Sequence, residues 1–174
     1  HGKLKIPVDV AVYGDFIYVS DPGNEKIEKY TSDGTFLKTF DYRFAGHSPK
    51  PGGLTTDPDG NIYFVDAANY RIVKINSDGR TLSTFGDLGV GNGMFLEPKD
   101  LVLDNRGYLF VLDSSAALVQ KFETPVVMQI EATLVEEQFK KLQELAYAEA
   151  EAAEVAAADA EVADAEVAEV AEAS

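Results

Sequence analysis

Cysteine and tryptophan are both absent from this chain of 174 residues. Without cysteine there is no disulfide framework and no thiolate metal site, which fits a reducing compartment and equally a cysteine-free secreted protein. No apolar run comes near the length that a membrane span needs. Basic residues are also scarce, since 15 Lys and Arg stand against 30 Asp and Glu. The net charge of −15 disfavours nucleic acid as the main partner, because binding phosphates needs a basic stripe.

Glycine and proline are missing from residues 131–174, although the chain has 14 Gly and 7 Pro in all. Residues 1–130 carry 17 acidic and 13 basic side chains, whereas residues 131–174 carry 13 acidic side chains and only two lysines. The aromatic and glycine content of the first region is typical of a turn-rich β domain. We therefore expect a β head over 1–130 and an acidic Ala/Glu-rich tail over 131–174. Because the sequence opens at His1 with no signal-like segment, we also expect a mature, trimmed or partial chain.

A segment of about 45 residues is written three times, which is a period typical of propeller blades. β-branched and aromatic residues alternate over short runs that Gly, Asp and Asn separate, and this predicts four strands per copy. In the second copy the predicted strands are Leu54–Thr56, Ile62–Val65, Ile72–Asn76 and Leu82–Phe85. Asp-Gly pairs follow at Asp33, Asp59 and Asp78, and they predict tight hairpin turns of the primed types. The head is thus predicted to be all-β, with four-stranded antiparallel blades near 7–40, 51–85 and 98–130.

The copies resemble NHL repeats in their opening Pro, their DGNIYFVD hairpin, their D-x-x-N-x-[KR]-I turn and their closing aromatic residue. The third copy departs from the pattern, with Ala116 in place of Asn and Leu118 in place of the basic residue. The resemblance implies a propeller that usually closes with about six blades, and it favours a periplasmic or secreted location. Three blades would leave two apolar sheet faces open. A second copy, another chain, the tail helix or further blades of a longer protein could cover them.

Three aspartates recur at the end of the second strand, and they could be read as a cation-binding ring. A short carboxylate at this place more simply accepts hydrogen bonds from the amides of the next turn, and two asparagines would serve the same turn. The residues assigned this structural role are Asp21, Asn24, Asp66, Asn69 and Asp113. His47, in a loop, is interpreted as a solvated residue and not as a metal ligand. No metal, cofactor or catalytic residue is predicted.

Several apolar or aromatic side chains are candidates for contact with a partner. Tyr70 and Arg71 could contact another protein or pack along the blade as repeat residues. Four more lie where a polar cap would be expected if solvent covered the third blade, and two lie in the tail. These six are Leu118, Val126, Val127, Met128, Phe139 and Leu142.

The tail opens on Thr133-Leu134-Val135-Glu136, which has the form of a capping box and predicts a helix start. Apolar residues then recur on one side of that helix as far as Ala146. From Glu149 onward the chain is rich in Ala and acidic residues, and nine acidic groups have no basic residue to offset them. The sequence leaves two alternatives for this part, a long helix ordered by an assembly or a solvated, disordered acidic tail.

Taken together, these features favour a non-enzymatic protein-binding scaffold that another chain or copy completes. A second hypothesis is a metal-dependent lyase or hydrolase whose catalytic residues lie in blades outside this chain. A third is a propeller that binds carbohydrate or nucleic acid. No Ser/His/Asp order, glycine-rich phosphate loop or HExxH motif occurs here, so an enzymatic function rests on fold analogy.

Overall fold

The computed structural model describes residues 3–42, 47–124 and 133–145. The chain divides into two compact units, His1–Val127 and Met128–Ser174. Within its described residues the first unit contains strands and one three-residue 3-10 turn, Ala67–Asn69. The strands are β1 (Asp9–Tyr13), β2 (Phe16–Asp21), β3 (Lys26–Thr31), β4 (Phe36–Phe40), β5 (Pro51–Thr56), β6 (Ile62–Asp66), β7 (Arg71–Ile75), β8 (Thr81–Phe85), β9 (Pro98–Leu103), β10 (Tyr108–Asp113) and β11 (Leu118–Glu123).

The strands form three antiparallel sheets, and in each one the spatial order follows the chain. Strands β1 to β4 make blade 1, β5 to β8 make blade 2 and β9 to β11 make blade 3. The all-β head of meander blades is therefore confirmed, and its sheets fit a partial β-propeller. A fourth strand in blade 3 would fall largely on residues 125–130, which lie outside the described residues.

The hairpin turns use the Asp-Gly pairs, but the turn type differs from the predicted one. Gly60 has a positive φ of 78° while Asp59 keeps a negative one. The amide of Gly60 donates to the carbonyl of Asp57, and the amide of Asp57 donates to the carbonyl of Asn61, so the loop has three residues. In such loops only the last residue takes the left-handed conformation. The prediction of primed turns is therefore wrong. The Asp57 carboxylate accepts hydrogen bonds from the backbone amides of Asp59 and Asn61, and these bonds favour the three-residue loop over a two-residue turn.

Two hydrophobic clusters join neighbouring blades. We call the side of a blade that looks toward the preceding blade its front face, and the opposite side its back face. Side chains alternate along a strand, so the two central strands of blade 2, β6 and β7, contribute to both faces. The front face of blade 2 carries Leu54, Ile62, Phe64, Val73 and Ile75, which cluster with Tyr18, Ile27 and Phe40 of blade 1. Its back face carries Tyr63, Val65, Ile72 and Phe85, which cluster with Leu101, Leu109 and Val111 of blade 3.

The second unit contains a helix, α1, over residues 133–145. The helix that the sequence predicts for this part of the tail is confirmed over the described residues 133–145, and the residues just before it lie outside the described part of the chain. The apolar side chains Leu134, Val135, Phe139, Leu142 and Leu145 are all exposed. None of the helical segments in the described residues combines the length and apolar character needed to cross a membrane. The part of the tail from Glu149 onward, for which the sequence leaves two alternatives, lies outside the described residues.

Candidate functional site

An aspartate at the end of the second strand holds the start of the first strand in place in each blade. Asp21, Asp66 and Asp113 are all fully buried. Each carboxylate accepts a hydrogen bond from the backbone amide of the residue just before the opening proline of its own blade. The donors are Ile6, Lys50 and Glu97, at N···Oδ1 distances of 2.8, 3.1 and 3.0 Å. This residue is the last donor available there, since proline has no N–H. Each aspartate therefore ties the entrance of the first strand to the end of the second.

The turn that follows each aspartate supplies further donors. The Asn24 and Asn69 side-chain amides donate to Asp21 and Asp66, both at 2.7 Å. In blade 3 the backbone amide of Ala116 donates to Asp113 at 2.9 Å. Loss of the asparagine there removes its side-chain donor but leaves the carboxylate satisfied.

Hydrogen bonding holds two of these carboxylates in the charged form. Desolvation by burial is the largest influence on Asp21 and raises its pKa, but the amides of Ile6 and Lys5 and the two Asn24 donors outweigh it and lower the pKa. At Asp113 burial again acts upward, and the amides of Ala116 and Leu96 prevail, so its pKa is also below the ordinary value. These ions are therefore satisfied by backbone and side-chain donors at the entrance and turn of their own blades.

A cavity of about 560 Å³ opens where the first strand of each blade begins, that is, at the starts of β1, β5 and β9. We call these three the inner strands. Its polar lining includes Asp9, Lys50, Glu97, Lys99 and Asp100. Asp9 accepts the amide of Leu54 in the next blade at 2.7 Å. Glu97 accepts the Lys99 ammonium, and hydrogen bonds from Lys99 and from two serine hydroxyls lower the pKa of Glu97 to about 2. Most of the acidic lining is thus already engaged in hydrogen bonds of the chain.

Gly53 occupies the position of blade 2 at which blades 1 and 3 carry Asp9 and Asp100. A β-carbon on Gly53 would lie 2.0 Å from Oδ1 and 2.6 Å from Cα of Asp100. The space beside its backbone is therefore filled by the next blade, and only glycine permits so close an approach. The Leu54 amide then bonds to Asp9 of the preceding blade, because residue 53 has no carboxylate of its own.

One lysine recurs in the third strand of each blade, as Lys29, Lys74 and Lys121, and its ammonium lies over an aromatic ring. The rings beneath are those of Phe16, Tyr63 and Tyr108, with Nζ at 3.7, 4.7 and 3.4 Å from the centroids. Lys29 is buried and Lys74 is half-buried, but Lys121 is exposed. The difference follows position in the stack, because only Lys121 belongs to a blade with no following blade among the described residues.

Lys74 also forms a buried ion pair with Asp57, with Nζ and Oδ2 2.9 Å apart. Burial acts most strongly on the pKa of Asp57 and raises it, but the hydrogen bonds from Asn61 and Lys74 together bring that pKa below its ordinary value. Burial acts most strongly on the pKa of Lys74 and lowers it, but Tyr63 and Asp57 together bring that pKa above its ordinary value. Both partners are therefore charged at neutral pH.

The back face of blade 3 is an exposed apolar surface. Leu112 and Val119 are 44% and 59% exposed, whereas the residues at the same positions of blade 2, Val65 and Ile72, are 0% exposed. Val102 on the inner strand lies on the same face and is exposed as well. We call Val102, Leu112 and Val119 the open back face.

The remaining candidates from the sequence are dispersed. Tyr70 is half-buried with a left-handed φ of 53° and lines the cavity, and Arg71 donates from Nε to the carbonyl of Asn69 at 3.3 Å. Leu118, at the start of β11, is exposed, as are Phe139 and Leu142 on α1. His47 is exposed in the loop between blades 1 and 2. Val126, Val127 and Met128 lie outside the described residues.

Sequence reasoning missed three features of this site, namely the amide before each opening proline, the Gly53 contact with Asp100 and the recurrent lysine. The recurrence of an aspartate 14 or 15 residues after the opening proline of each copy was a signal for the first. No three His, Cys, Asp or Glu side chains in the described part of the chain are grouped so that they could hold a metal ion.

Neither the family models nor the curated proteins give a match to this chain. Solved structures do, and all those named here are about 20% identical. A streptogramin B lyase matches with a TM-score of 0.51 over 67% of this chain and 40% of that one. A catalytically inactive virginiamycin B lyase from Staphylococcus aureus with quinupristin matches at 0.50, over 72% and 43%. A luciferin-regenerating enzyme also matches at 0.50, over 66% and 39%.

These likenesses concern the fold alone. They agree with the three sheets in indicating propeller-like blades, and the chain spans about two fifths of the length of each neighbour. The assignment of the blades to NHL repeats stays a prediction.

Proposed function

We propose that this chain is a non-enzymatic protein-binding module built on NHL-type propeller blades, and that another chain or a second copy completes it. The observation that carries the proposal is the open back face of blade 3. Its positions are those that blade 2 buries against its neighbour, so the surface has the chemistry of a blade interface, and no further blade covers it among the described residues.

The energy at stake supports a covered state. Full burial of a Val or Leu side chain contributes about 1.5–3 kcal/mol. Three such side chains, each about half exposed, therefore leave about 2–5 kcal/mol unrealised. That is a large part of the roughly 5–15 kcal/mol by which a domain is stable. A partner that covers this face gains a comparable amount, and contiguous exposed apolar surface of this kind marks interaction sites.

The test compares association of the full chain with that of Val119→Glu, with Val90→Glu as the matched control. Val90 is 81% exposed in the connector between blades 2 and 3, away from the open back face. Native mass spectrometry and light scattering should show association of the wild type and of Val90→Glu, and loss of it in Val119→Glu. A soluble wild-type monomer that binds no apolar dye would refute the proposal.

The alternative of a lyase or hydrolase draws on the cavity and on the names of two structural neighbours. Against it, Asp9 and Glu97 in the cavity are engaged by amide, ammonium and hydroxyl donors. Purified protein should hold no stoichiometric zinc or calcium. Bound metal that is lost in Asp66→Ala or His47→Ala would favour the enzyme.

A further inference from the structure

Independently of the proposed function, we infer that Asn92 is a site of spontaneous deamidation, and that Gln120 sets the rate by holding the backbone amide of Gly93. The reaction needs neither an enzyme nor a cofactor, because its reactants are the Asn92 side chain, the next backbone amide and water. It places a new negative charge in the connector between blades 2 and 3.

Asn92 differs from the other asparagines in its neighbour and in its surroundings. Of the six asparagines in the chain, it is the one that glycine follows. Glycine has no β-carbon to hinder the approach of its own amide nitrogen to the preceding carboxamide. Asn92 and Asn105 are both exposed, but Arg106 follows Asn105. The remaining four use their side chains in turn hydrogen bonds, and they are Asn24, Asn61, Asn69 and Asn76.

Asn92 and Gly93 are the two central residues of a tight turn, in which the Met94 amide donates to the Gly91 carbonyl at 3.0 Å. Gly93 has a left-handed φ of 76°, which glycine supplies at the second central position of a type II turn. The side chain of Gln120 on β11 makes two hydrogen bonds to this turn. Its Oε1 accepts the Gly93 amide at 2.8 Å, and its Nε2 donates to the Met94 carbonyl at 2.7 Å. The turn is thus bonded to blade 3.

Deamidation requires the Gly93 amide to be free. Its nitrogen attacks Cγ of Asn92 and closes a succinimide ring, and the amide proton leaves with the side-chain nitrogen as ammonia. Water then opens the ring at either carbonyl, which gives aspartate or isoaspartate. While the amide donates to Gln120, its proton is held and its direction is fixed, so this bond has to break before the nitrogen can attack. Gln120 therefore slows the reaction in the folded chain.

The reaction alters the part of the connector that precedes Phe95. This side chain is fully buried in the cluster between blades 2 and 3. Its amide donates to the Asp87 carbonyl, and its carbonyl accepts the Gly89 amide. Isoaspartate adds a carbon to the backbone three residues before Phe95, so the turn and its two bonds to Gln120 cannot re-form in the same register. Deamidation through isoaspartate therefore loosens the connector.

The test follows deamidation of the full chain during incubation in mildly alkaline buffer. Peptide mapping by mass spectrometry locates the mass increase that exchange of NH2 for OH produces, and Asn92 should react while Asn105 does not. Gln120→Met removes both hydrogen-bonding groups at similar length, and it should raise the rate at Asn92 about fivefold, as expected for the loss of one neutral hydrogen bond. Gln120→Glu keeps an oxygen acceptor for the Gly93 amide and should stay close to the wild-type rate.

Unfolding gives the matched control, because guanidinium chloride removes the hydrogen bond from every chain. The wild type and both variants should then react at one rate, which is faster than that of the folded wild type. Circular dichroism verifies that the variants fold. If Gln120→Met does not fold, the comparison of folded with unfolded wild type still tests the effect of the bond.

Several results would overturn the inference. No reaction at Asn92 in either the folded or the unfolded chain would exclude the site, as would equal rates at Asn92 and Asn105. A folded Gln120→Met that reacts at the wild-type rate would exclude the role of Gln120, and so would a folded wild type that reacts as fast as the unfolded one. An isoaspartate fraction as resistant to urea as Asn92→Asp, which has the charge without the extra carbon, would exclude the loosening of the connector. None of these results bears on the proposed function, which association measures.

Discussion

Replacing Asp21 by alanine tests whether a buried aspartate holds each blade entrance in place. Its carboxylate accepts four hydrogen bonds. Three come from the backbone amides of Lys5, Ile6 and Gly23 at 2.7, 2.8 and 3.1 Å, and the fourth comes from the side-chain amide of Asn24 at 2.7 Å. Alanine removes the acceptor of all four bonds. The first two donors lie before β1, so the entrance of blade 1 loses its attachment to the end of β2.

The magnitude follows from the number of bonds and from access to water. A hydrogen bond to a charged group contributes about 1.5–3 kcal/mol, so four would sum to more than about 6 kcal/mol. Lys5 and Ile6 are exposed, and water can satisfy their amides once the carboxylate is gone. We therefore expect the free energy of unfolding to fall by about 3–5 kcal/mol, and Asp66→Ala, with two bonds lost, to cost less.

Urea unfolding followed by far-ultraviolet circular dichroism measures both changes. Asp15→Ala is the control, because Asp15 is exposed in the same blade, and it should change stability by less than about 0.5 kcal/mol. If Asp21→Ala were no less stable than Asp15→Ala, the reasoning would be refuted.

Three further substitutions or conditions give separate tests. Gly53→Ala should cost about 1–3 kcal/mol because its β-carbon would meet Asp100, and Gly91→Ala, with only an ordinary contact, should cost less in the same urea assay. Lys74→Met should cost about 3–5 kcal/mol by leaving Asp57 buried and unpaired, whereas Lys38→Met, in an exposed pair, should cost below about 1 kcal/mol. Asp21, Asp57 and Asp113 each have a lower pKa in the folded state than in the unfolded state. Their contribution to the free energy of unfolding is therefore complete above the unfolded-state pKa of about 3.9, and it is lost as the pH falls through the folded-state pKa values. Urea midpoints should therefore be level near neutrality and fall below about pH 4, and an unchanged midpoint at pH 3 would contradict the assignment.

The repeat was enough to predict the blades, because strand and turn signals are local and the same pattern of strands and turns occurs in all three copies. The predicted Ile62–Val65 strand differs from the observed Ile62–Asp66 by one residue. The turn type was not predictable from Asp-Gly alone, because Asp57, two residues before Asp59, decides the loop length through its side chain. Local pattern also could not reveal that Asp100 fills the space at Gly53, since those residues are 47 positions apart and meet only when blades pack.

The same limit explains why the open back face is invisible in sequence. Val65 and Ile72 in blade 2 have the same chemical character as Leu112 and Val119 in blade 3, so composition predicts burial for both pairs. Exposure separates them, because burial depends on whether another blade follows and not on the strand itself. A blade that keeps interface side chains without a following blade leaves apolar area in water, and that area is the driving force for association. The physical reason to expect a partner is thus the contrast between equivalent positions of neighbouring blades, and no individual residue supplies it.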